Sequence, residues 1–316
     1  MFPAFLIANK IKICYADSER EVFYMRFMMN SKAAIAEVDT LGAELKSFTD
    51  MIGTQYLWQG DPSYWHGQAP ILFPMVGRLR EDKALISGRE YSMKRHGIAR
   101  NLEFRPMMHD SNSVILSLTA DEETKKSYPF DFSLMVAYRL EDCTLTTEFT
   151  VMNMGNEPMP FAIGGHPAFN CPVLDGEKFE SYSLIFEKPE TISCPKLDLE
   201  TGLIDNNDRV PVLNGEAVLP LKHSLFDEDA LIFEGLQSQK VQLVSRGSGR
   251  GVEMDFLGFP YLGVWSALGN APFVALEPWT GTATCLDEGD EFAAKRGTKL
   301  LAPNASAKYA FRITVM

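Results

Sequence analysis

Alternation of apolar and polar residues with a period of two is the feature that most restricts the fold of this chain. Every second residue from Leu145 to Val151 can lie on one face of a strand, and the segment from Lys308 to Val315 repeats the pattern. The sequence contains no long amphipathic helical segment. Many strands separated by turn signals are typical of a sandwich or barrel. We therefore predict an all-β fold, a large antiparallel sandwich with few short helices.

The chain of 316 residues carries no linker, internal repeat or shift in composition. All-β domains often use this many residues as one unit, so we predict a single domain over residues 29–316. The period-two pattern begins only near Met29. We therefore treat residues 1–28 as an N-terminal extension, for which three interpretations stay open: an additional strand, a loose tail, or translation from an upstream start codon.

Composition excludes several classes of function. The formal net charge of −12 disfavours binding to nucleic acid or to an anionic membrane, because both require a basic surface. Five widely spaced cysteines without a CxxC motif indicate neither disulfides nor a zinc site, and reduced thiols favour a cytoplasmic location. No transmembrane segment or signal peptide is expected. Phosphate-loop and dinucleotide motifs are absent from the sequence, so we expect no nucleotide cofactor and no metal.

A histidine between glycine and proline is the first candidate for chemistry. Gly164 and Gly165 precede His166, and Pro167 follows it. Glycine permits unusual backbone angles or the close approach of a ligand, and proline holds the preceding residue in an extended conformation. A histidine with a fixed direction suits proton transfer. The same residues would equally suit a turn that has no catalytic function.

A carboxylate at the end of an apolar segment is the second candidate. Glu277 follows the apolar run that ends at Leu276 and precedes Pro278 and Trp279. Partial removal from water would raise the pKa of this carboxyl toward that of a useful general base. Trp279 would then be placed to stack on the apolar face of a sugar. The alternative interpretation is a surface glutamate beside a core tryptophan.

Three further residues have side chains suited to holding a polar ligand. Arg78, after Gly77, offers forked donors to hydroxyl groups or a phosphate. His96, before Gly97, would suit a turn and a hydrogen bond to a ring oxygen. One carboxylate of the acidic run from Asp227 to Asp229 would accept hydrogen bonds from sugar hydroxyls. Solvated basic and acidic surface segments are the alternative interpretation.

In this order, these segments resemble the aldose 1-epimerase, or galactose mutarotase-like, family and its LacX-like branch. Each motif is short, but their joint order and spacing extend from about residue 29 to the C-terminus. The motifs are GAELKS (42–47), FPMVGR (73–78), HG (96–97), GHPAFN (165–170), VWS (264–266) and EPW (277–279).

The resemblance implies a β-supersandwich with an open polar groove, in which an aldohexose is converted between its α and β anomers without a cofactor. The implied catalytic residues are Glu277 as general base, His166 as general acid and His96 as a second active-site histidine. The implied substrate-binding residues are Arg78, Asp229, Trp265 and Trp279. The expected partner is a small sugar, and the expected assembly is a monomer or a homodimer.

The residues before His96 depart from the family pattern, and this leaves the sugar open. Typical galactose mutarotases have an asparagine-rich stretch there and a second glycine after the HG pair, whereas this chain reads SMKRHGI over residues 92–98. Three other functions stay possible: a hexose-6-phosphate mutarotase, a non-catalytic sugar-binding protein, and a glycoside hydrolase or lyase with Asp229 as second carboxylate. The basic residues available to a phosphate are Arg78, Arg80, Lys94 and Arg95.

Overall fold

The computed structural model of the protein describes residues 10–17 and 20–316, with side chains from residue 25 onward. Its first strands are β1 (Lys10–Asp17), β2 (Arg20–Asn30), β3 (Ala34–Asp39), β4 (Leu45–Asp50), β5 (Ile71–Leu72), β6 (Lys83–Ile86), β7 (Arg89–Ser92), β8 (Arg105–His109), β9 (Ser113–Thr119), β10 (Phe132–Glu141) and β11 (Thr144–Asn153). The second half continues with β12 (Met159–Phe161), β13 (Gly164–Gly165), β14 (Ala168–Asn170), β15 (Tyr182–Leu197), β16 (Ile204–Pro220), β17 (Leu231–Glu234), β18 (Lys240–Ser245), β19 (Gly251–Asp255), β20 (Tyr261–Trp265), β21 (Phe273–Trp279), β22 (Lys299–Leu301) and β23 (Ser306–Val315).

Helical structure in the described residues is limited to short 3₁₀ turns. The longest has four residues, and none is long and apolar enough to cross a membrane. The turns are Arg80–Asp82, Ala99–Asn101, Thr124–Lys126, Phe179–Ser181, His223–Phe226 and Phe292–Ala294. The predicted all-β class, a large antiparallel sandwich with few short helices, is confirmed.

Two sheets carry most of the architecture within the described residues. A nine-stranded antiparallel sheet has the order β16-β15-β18-β19-β23-β11-β10-β9-β8, and a six-stranded sheet has the order β17-β20-β21-β13-β5 with β14 also paired to β21. The period-two pattern explains the first sheet, since Leu145, Phe149 and Val151 of β11 are buried at alternate positions. Strand β21 is different, because all of its residues are buried. Such a strand must be covered on both faces.

The N-terminal strands form a four-stranded sheet in the order β1-β2-β3-β4. Phe27 and Met29 of β2 are buried in the main hydrophobic core, and β2 pairs with β3 from Arg26 to Asn30. The expected boundary between residues 28 and 29 therefore falls inside a strand. The division into an extension and a single domain stays a prediction, and residues 1–9, 18 and 19 of that extension lie outside the described residues.

Strand register within the six-stranded sheet positions the residues that matter for function. Gly164 lies opposite Trp279, and Ala168 lies opposite Ala275. Counting two residues inward from either pair places His166 opposite Glu277. On the other side of β21, Gly263 of β20 is the partner of Glu277. Residues that lie opposite each other in an antiparallel pair share one face of the sheet, so His166 and Glu277 are brought onto the same face.

Gly164 is required where β13 meets β21. A Cβ atom at this position would lie 2.7 Å from Trp279 Cδ1 and 2.8 Å from the Pro278 carbonyl oxygen. The second contact is with backbone, which cannot rotate away as a flexible side chain would. The absence of a side chain at residue 164 therefore allows the two strands to approach closely.

We predict that Gly164→Ala lowers the free energy of unfolding by about 1–3 kcal/mol, because the added methyl group forces β13 away from β21. Urea denaturation followed by circular dichroism measures the change. Gly289→Ala is the matched control, since a Cβ atom at residue 289 meets nothing within 4 Å. Equal stability of the two variants would show that the sheet absorbs the extra methyl group.

Candidate active site

A cavity of about 260 Å³ opens on the face of the six-stranded sheet that carries His166 and Glu277. This volume lies just below the range of about 300–1,000 Å³ that drug-sized ligands occupy, so it suits a smaller molecule. All seven residues singled out in the sequence line this cavity: Arg78, His96, His166, Asp229, Trp265, Glu277 and Trp279.

Glu277 and His166 form the centre of the cavity. The distance between Glu277 Oε2 and His166 Nε2 is 3.2 Å, and the side chains are only 2% and 8% exposed, respectively. The alternation of β21 turns Glu277 to the cavity face, between Ala275 and Trp279. Its neighbours Leu276 and Val274 point to the opposite face and join the main core. The apolar strand thus carries an ionisable group into an interior site.

Burial shifts the pKa values of this pair in opposite directions. Loss of water raises the pKa of Glu277 well above its usual range, and the negative charge of Asp229 adds to the rise. Loss of water lowers the pKa of His166 to about 3. Both shifts favour uncharged forms. Burial therefore favours a protonated carboxyl group beside a neutral imidazole, a form in which the pair carries no net charge.

His96 is held by backbone contacts with Gly77. The Gly77 N–H donates to His96 Nδ1 at 3.2 Å, and the His96 N–H donates to the Gly77 carbonyl at 2.8 Å. Because Nδ1 accepts a hydrogen bond, the proton of the neutral ring lies on Nε2. Burial, and then the neighbouring His166, lower the pKa of His96 well below its usual value. His96 is thus a neutral hydrogen-bond donor.

The backbone at His96 adopts a left-handed conformation, with a φ of 69°, and Gly97 follows with a φ of 77°. A non-glycine residue in this region is strained and persists where the surrounding contacts over-determine it. Here the two hydrogen bonds to Gly77 hold it. The HG pair predicted as a turn does form one, and the turn presents the imidazole to the cavity.

Trp65 is a component of the site that sequence reasoning missed. Its ring stacks on the His166 imidazole with a centroid distance of 4.8 Å and an interplanar angle of 28°. Gly67 permits this placement, because a Cβ atom there would lie 2.4 Å from the Trp65 ring. The available signal was the aromatic pair Tyr64-Trp65 in an otherwise polar segment between two glycines. The stacked ring covers one face of His166 and removes it from water.

The two tryptophans predicted to stack on a sugar occupy different positions. Trp265 is half-buried and meets His166 edge to face at 5.7 Å, so its ring borders the open cavity. Trp279 is 5% exposed and packs against Gly164 and Gly263, where a Cβ atom at residue 263 would lie 2.5 Å from the ring. Its buried Nε1 acts on the Glu277 carboxyl group and lowers the pKa of that group, against the larger effect of burial. Trp279 therefore turns the polar edge of its indole, rather than the face of the ring, toward the cavity.

Four charged residues border the cavity around this pair. Asp229 is half-buried and adopts a φ of 73°. Arg78 donates to the Thr201 carbonyl at 3.4 Å, and its Nε lies 3.7 Å from Asp82 Oδ1. Arg95 and Arg100 complete the set. Arg100 was missed in the sequence, although it follows His96 by only four residues.

The other two basic residues considered for a phosphate lie elsewhere. Arg80 donates to Asp290 Oδ1 at 3.2 Å and to the Glu288 carbonyl at 2.9 Å, outside the cavity. Lys94 is exposed and borders a separate hollow. Among the described residues, no group of three or more His, Cys, Asp or Glu side chains is arranged to hold a metal ion.

A larger cleft of about 750 Å³ adjoins the site on the other side of Asp229, between β15, β16 and the turn His223–Phe226. Its lining is rich in proline, valine and leucine, and its charged residues Lys222, Asp227 and Glu228 are exposed. The lining of this cleft contains no histidine and no buried carboxylate, whereas the smaller cavity contains both. The smaller cavity is therefore the candidate active site.

Comparison with known proteins identifies similar chains over most of the sequence. The family model for aldose 1-epimerase matches residues 27–296. The plasmid-encoded and chromosomal forms of Protein LacX from Lactococcus lactis subsp. lactis are each 42% identical over 298 residues, which is 92% of this chain and 100% of the relative.

Solved structures give the same result for the fold. A galactose mutarotase related enzyme from Lactobacillus acidophilus superimposes with a TM-score of 0.87 at 31% identity, covering 92% of this chain and 97% of that one. A galactose mutarotase-like protein from Lactobacillus casei superimposes with a TM-score of 0.85 at 30% identity, covering 92% and 100%. The resemblance noted in the sequence is confirmed.

We predict that Glu277→Gln gains stability relative to the wild type as the pH rises. The pKa of Glu277 is raised by folding, so the folded protein binds this proton more tightly than the unfolded chain does. Stability therefore falls as pH rises from the ordinary carboxyl range near about 4.3 toward the folded pKa. Glutamine does not ionise and escapes this loss.

Melting temperatures of both proteins at pH 5 and pH 8 test the prediction, with the variant gaining relative to the wild type at pH 8. Glu122→Gln, which changes an exposed carboxylate, is the control and is expected to show no such trend. A variant that loses stability relative to the wild type between pH 5 and pH 8 would contradict a raised pKa of Glu277 in the folded protein.

Proposed function

This chain belongs to the aldose 1-epimerase family, and we propose that it is a mutarotase that interconverts the α and β anomers of an aldohexose through Glu277 and His166. The observation that carries the proposal is the buried carboxyl–imidazole pair at 3.2 Å in a cavity that suits a monosaccharide. Mutarotation requires removal of a proton from one oxygen of the anomeric carbon and delivery of a proton to the other. Two groups this close can reach both oxygens at once.

The pair can supply both proton transfers of the reaction without gaining or losing a proton overall. In the reactive form, ionised Glu277 accepts the proton of the O1 hydroxyl while protonated His166 donates to the ring oxygen O5. The C1–O5 bond breaks as the C1–O1 double bond forms. Glu277 is then protonated and His166 neutral, which is also the form that burial favours at rest. After rotation about C1–C2, closure on the other face reverses both transfers.

Formation of the reactive form requires one proton to move from Glu277 to His166. Oε2 and Nε2 lie 3.2 Å apart but form no hydrogen bond in the described structure, so transfer requires a small realignment of the two side chains; the total charge of the pair does not change. Neutral His96, with its proton on Nε2, would donate a hydrogen bond to a substrate oxygen without competing as an acid. We propose Trp265 as the ring that packs on the sugar, with Arg78 and Asp229 as partners for its hydroxyl groups.

Other functions of the same fold would use the site differently. A glycoside hydrolase needs a second carboxylate across the scissile bond, whereas the group next to Glu277 is an imidazole. A non-catalytic sugar-binding protein would not need a buried acid and base in contact. Release of reducing ends from an oligosaccharide would favour the hydrolase. A cytoplasmic location agrees with four cysteines that form no disulfide: Cys143, Cys171, Cys194 and Cys285.

We predict that Glu277→Gln and His166→Asn each lower kcat for mutarotation by roughly a hundredfold or more, since each removes one proton-transfer group. His96→Asn is expected to have a smaller effect, because its role is to orient the substrate. Polarimetry of freshly dissolved α-glucose and α-galactose gives the rates. The controls Glu122→Gln and His109→Asn lie outside the cavity. More than about a tenth of wild-type activity in Glu277→Gln would contradict the mechanism.

We further predict a pH profile of kcat/KM whose acid limb lies below the ordinary carboxyl range. The active pair holds one proton, and the second proton would add to His166, whose pKa is lowered to about 3. Activity is therefore retained at pH 5 and lost on the alkaline side, when the pair loses its shared proton. An acid limb with a midpoint near about 6.5, the value of an unperturbed histidine, would contradict this assignment.

A further inference from the structure

We infer that the substrate is an aldose that carries a phosphate group, held at the rim of the cavity by Arg78 and Arg95. This inference rests on the proposed mutarotase function and specifies its substrate class. The observation behind it is the convergence of two guanidinium groups at Gly202. A Cβ atom on Gly202 would lie 3.1 Å from an Arg95 terminal nitrogen and 3.4 Å from Arg78 Cδ.

Arg78 and Arg95, at the mouth of the cavity, have little negative charge to balance them. Arg95 forms no ion pair or hydrogen bond within the part of the chain whose side chains are described. The deeper Arg100 differs, because the negative charge of Glu44 acts on it. Arg78 has only the partly exposed Asp82 at 3.7 Å. Like charges placed side by side without counter-charges repel each other, and an anion between them would relieve that repulsion.

The charge at the mouth of the cavity is also opposite in sign to the net charge of the chain. The chain carries a formal net charge of −12, yet three arginines border this one small cavity. The acidic groups on the cavity wall are Asp229 and Glu277, and burial raises the pKa of Glu277 and so favours its uncharged form. A neutral sugar would need hydrogen-bond donors here but not this concentration of positive charge.

Phosphate is the anion that this geometry favours. A phosphate monoester carries a charge of about −1.5 to −2 near pH 7 and presents three acceptor oxygens, which two forked guanidinium groups can share. Arg95 is exposed and the Arg78 side chain is 37% exposed, so both lie at the mouth of the cavity. The catalytic pair is buried, which places the phosphate at the end of the sugar remote from the anomeric carbon.

The test compares anomer exchange of a free aldohexose and its 6-phosphate by magnetisation-transfer NMR. We expect kcat/KM to be at least about tenfold higher for the phosphorylated sugar, since hydrogen bonds to charged groups are individually strong. Arg95→Gln should reduce the ratio of the two kcat/KM values toward one, and Arg95→Lys should retain part of the preference for the phosphorylated sugar. Arg89→Gln, an exposed arginine of β7 that does not border the cavity, is the matched control and should keep the full preference.

Inorganic phosphate provides a readout independent of turnover. It should compete with the phosphorylated sugar in the wild type and lose this effect in Arg95→Gln, and the competition should weaken as salt is added. Tryptophan fluorescence of Trp65 and Trp265 gives the binding constant directly. Phosphate binding that is unchanged in Arg95→Gln would overturn the subsite.

The outcomes separate the two proposals. Equal or better turnover of the free sugar would leave the mutarotase function standing and refute the phosphate subsite. Faster turnover of a hexuronate than of the phosphate would replace phosphate by a carboxylate and also refute the inference. If neither sugar reacts, the proposed function fails, and the fluorescence titration with inorganic phosphate alone then decides the subsite.

Discussion

The register between β21 and the strands on either side of it determines the position of every group in the candidate site. Glu277 lies between Gly263 on β20 and His166 beyond β13, and the glycines on both sides leave room for the indole of Trp279. A slip of one residue in this register would turn Glu277 to the opposite face and into the main core. Close packing of the sheet is thus the condition for the 3.2 Å contact between acid and base.

Burial explains why this contact is chemically useful. In water a glutamate would be ionised and a histidine partly protonated near neutral pH, and each would interact mainly with solvent. In the cavity Trp65 covers one face of His166, and the sheet surrounds Glu277, so both groups favour uncharged forms. The pair can then pass one proton between its members without change in net charge. This condition suits a reaction that begins and ends with the same protonation state.

The surroundings of the pair divide the cavity into two regions. The inner region holds the Glu277 carboxyl group, the imidazoles of His96 and His166 and the edge of Trp279. The outer region holds Arg78 and Arg95, whose charges are exposed to solvent and converge at Gly202. Under the proposed function, this arrangement would separate chemistry at the anomeric carbon from recognition of the remote end of the sugar. The net negative charge of the whole chain therefore does not predict the positive electrostatic potential near these arginines.

The sequence by itself determined the all-β class through its period-two pattern, and it singled out seven residues that the fold gathers around one cavity. Local signals sufficed for these, because glycine and proline around His166 and the apolar run before Glu277 are short-range features. Only the tertiary structure decided that His166 lies opposite Glu277, that Trp65 covers His166, and that Trp279 presents its edge. Cross-strand register and burial arise from contacts between segments far apart in the chain, and no local pattern encodes them.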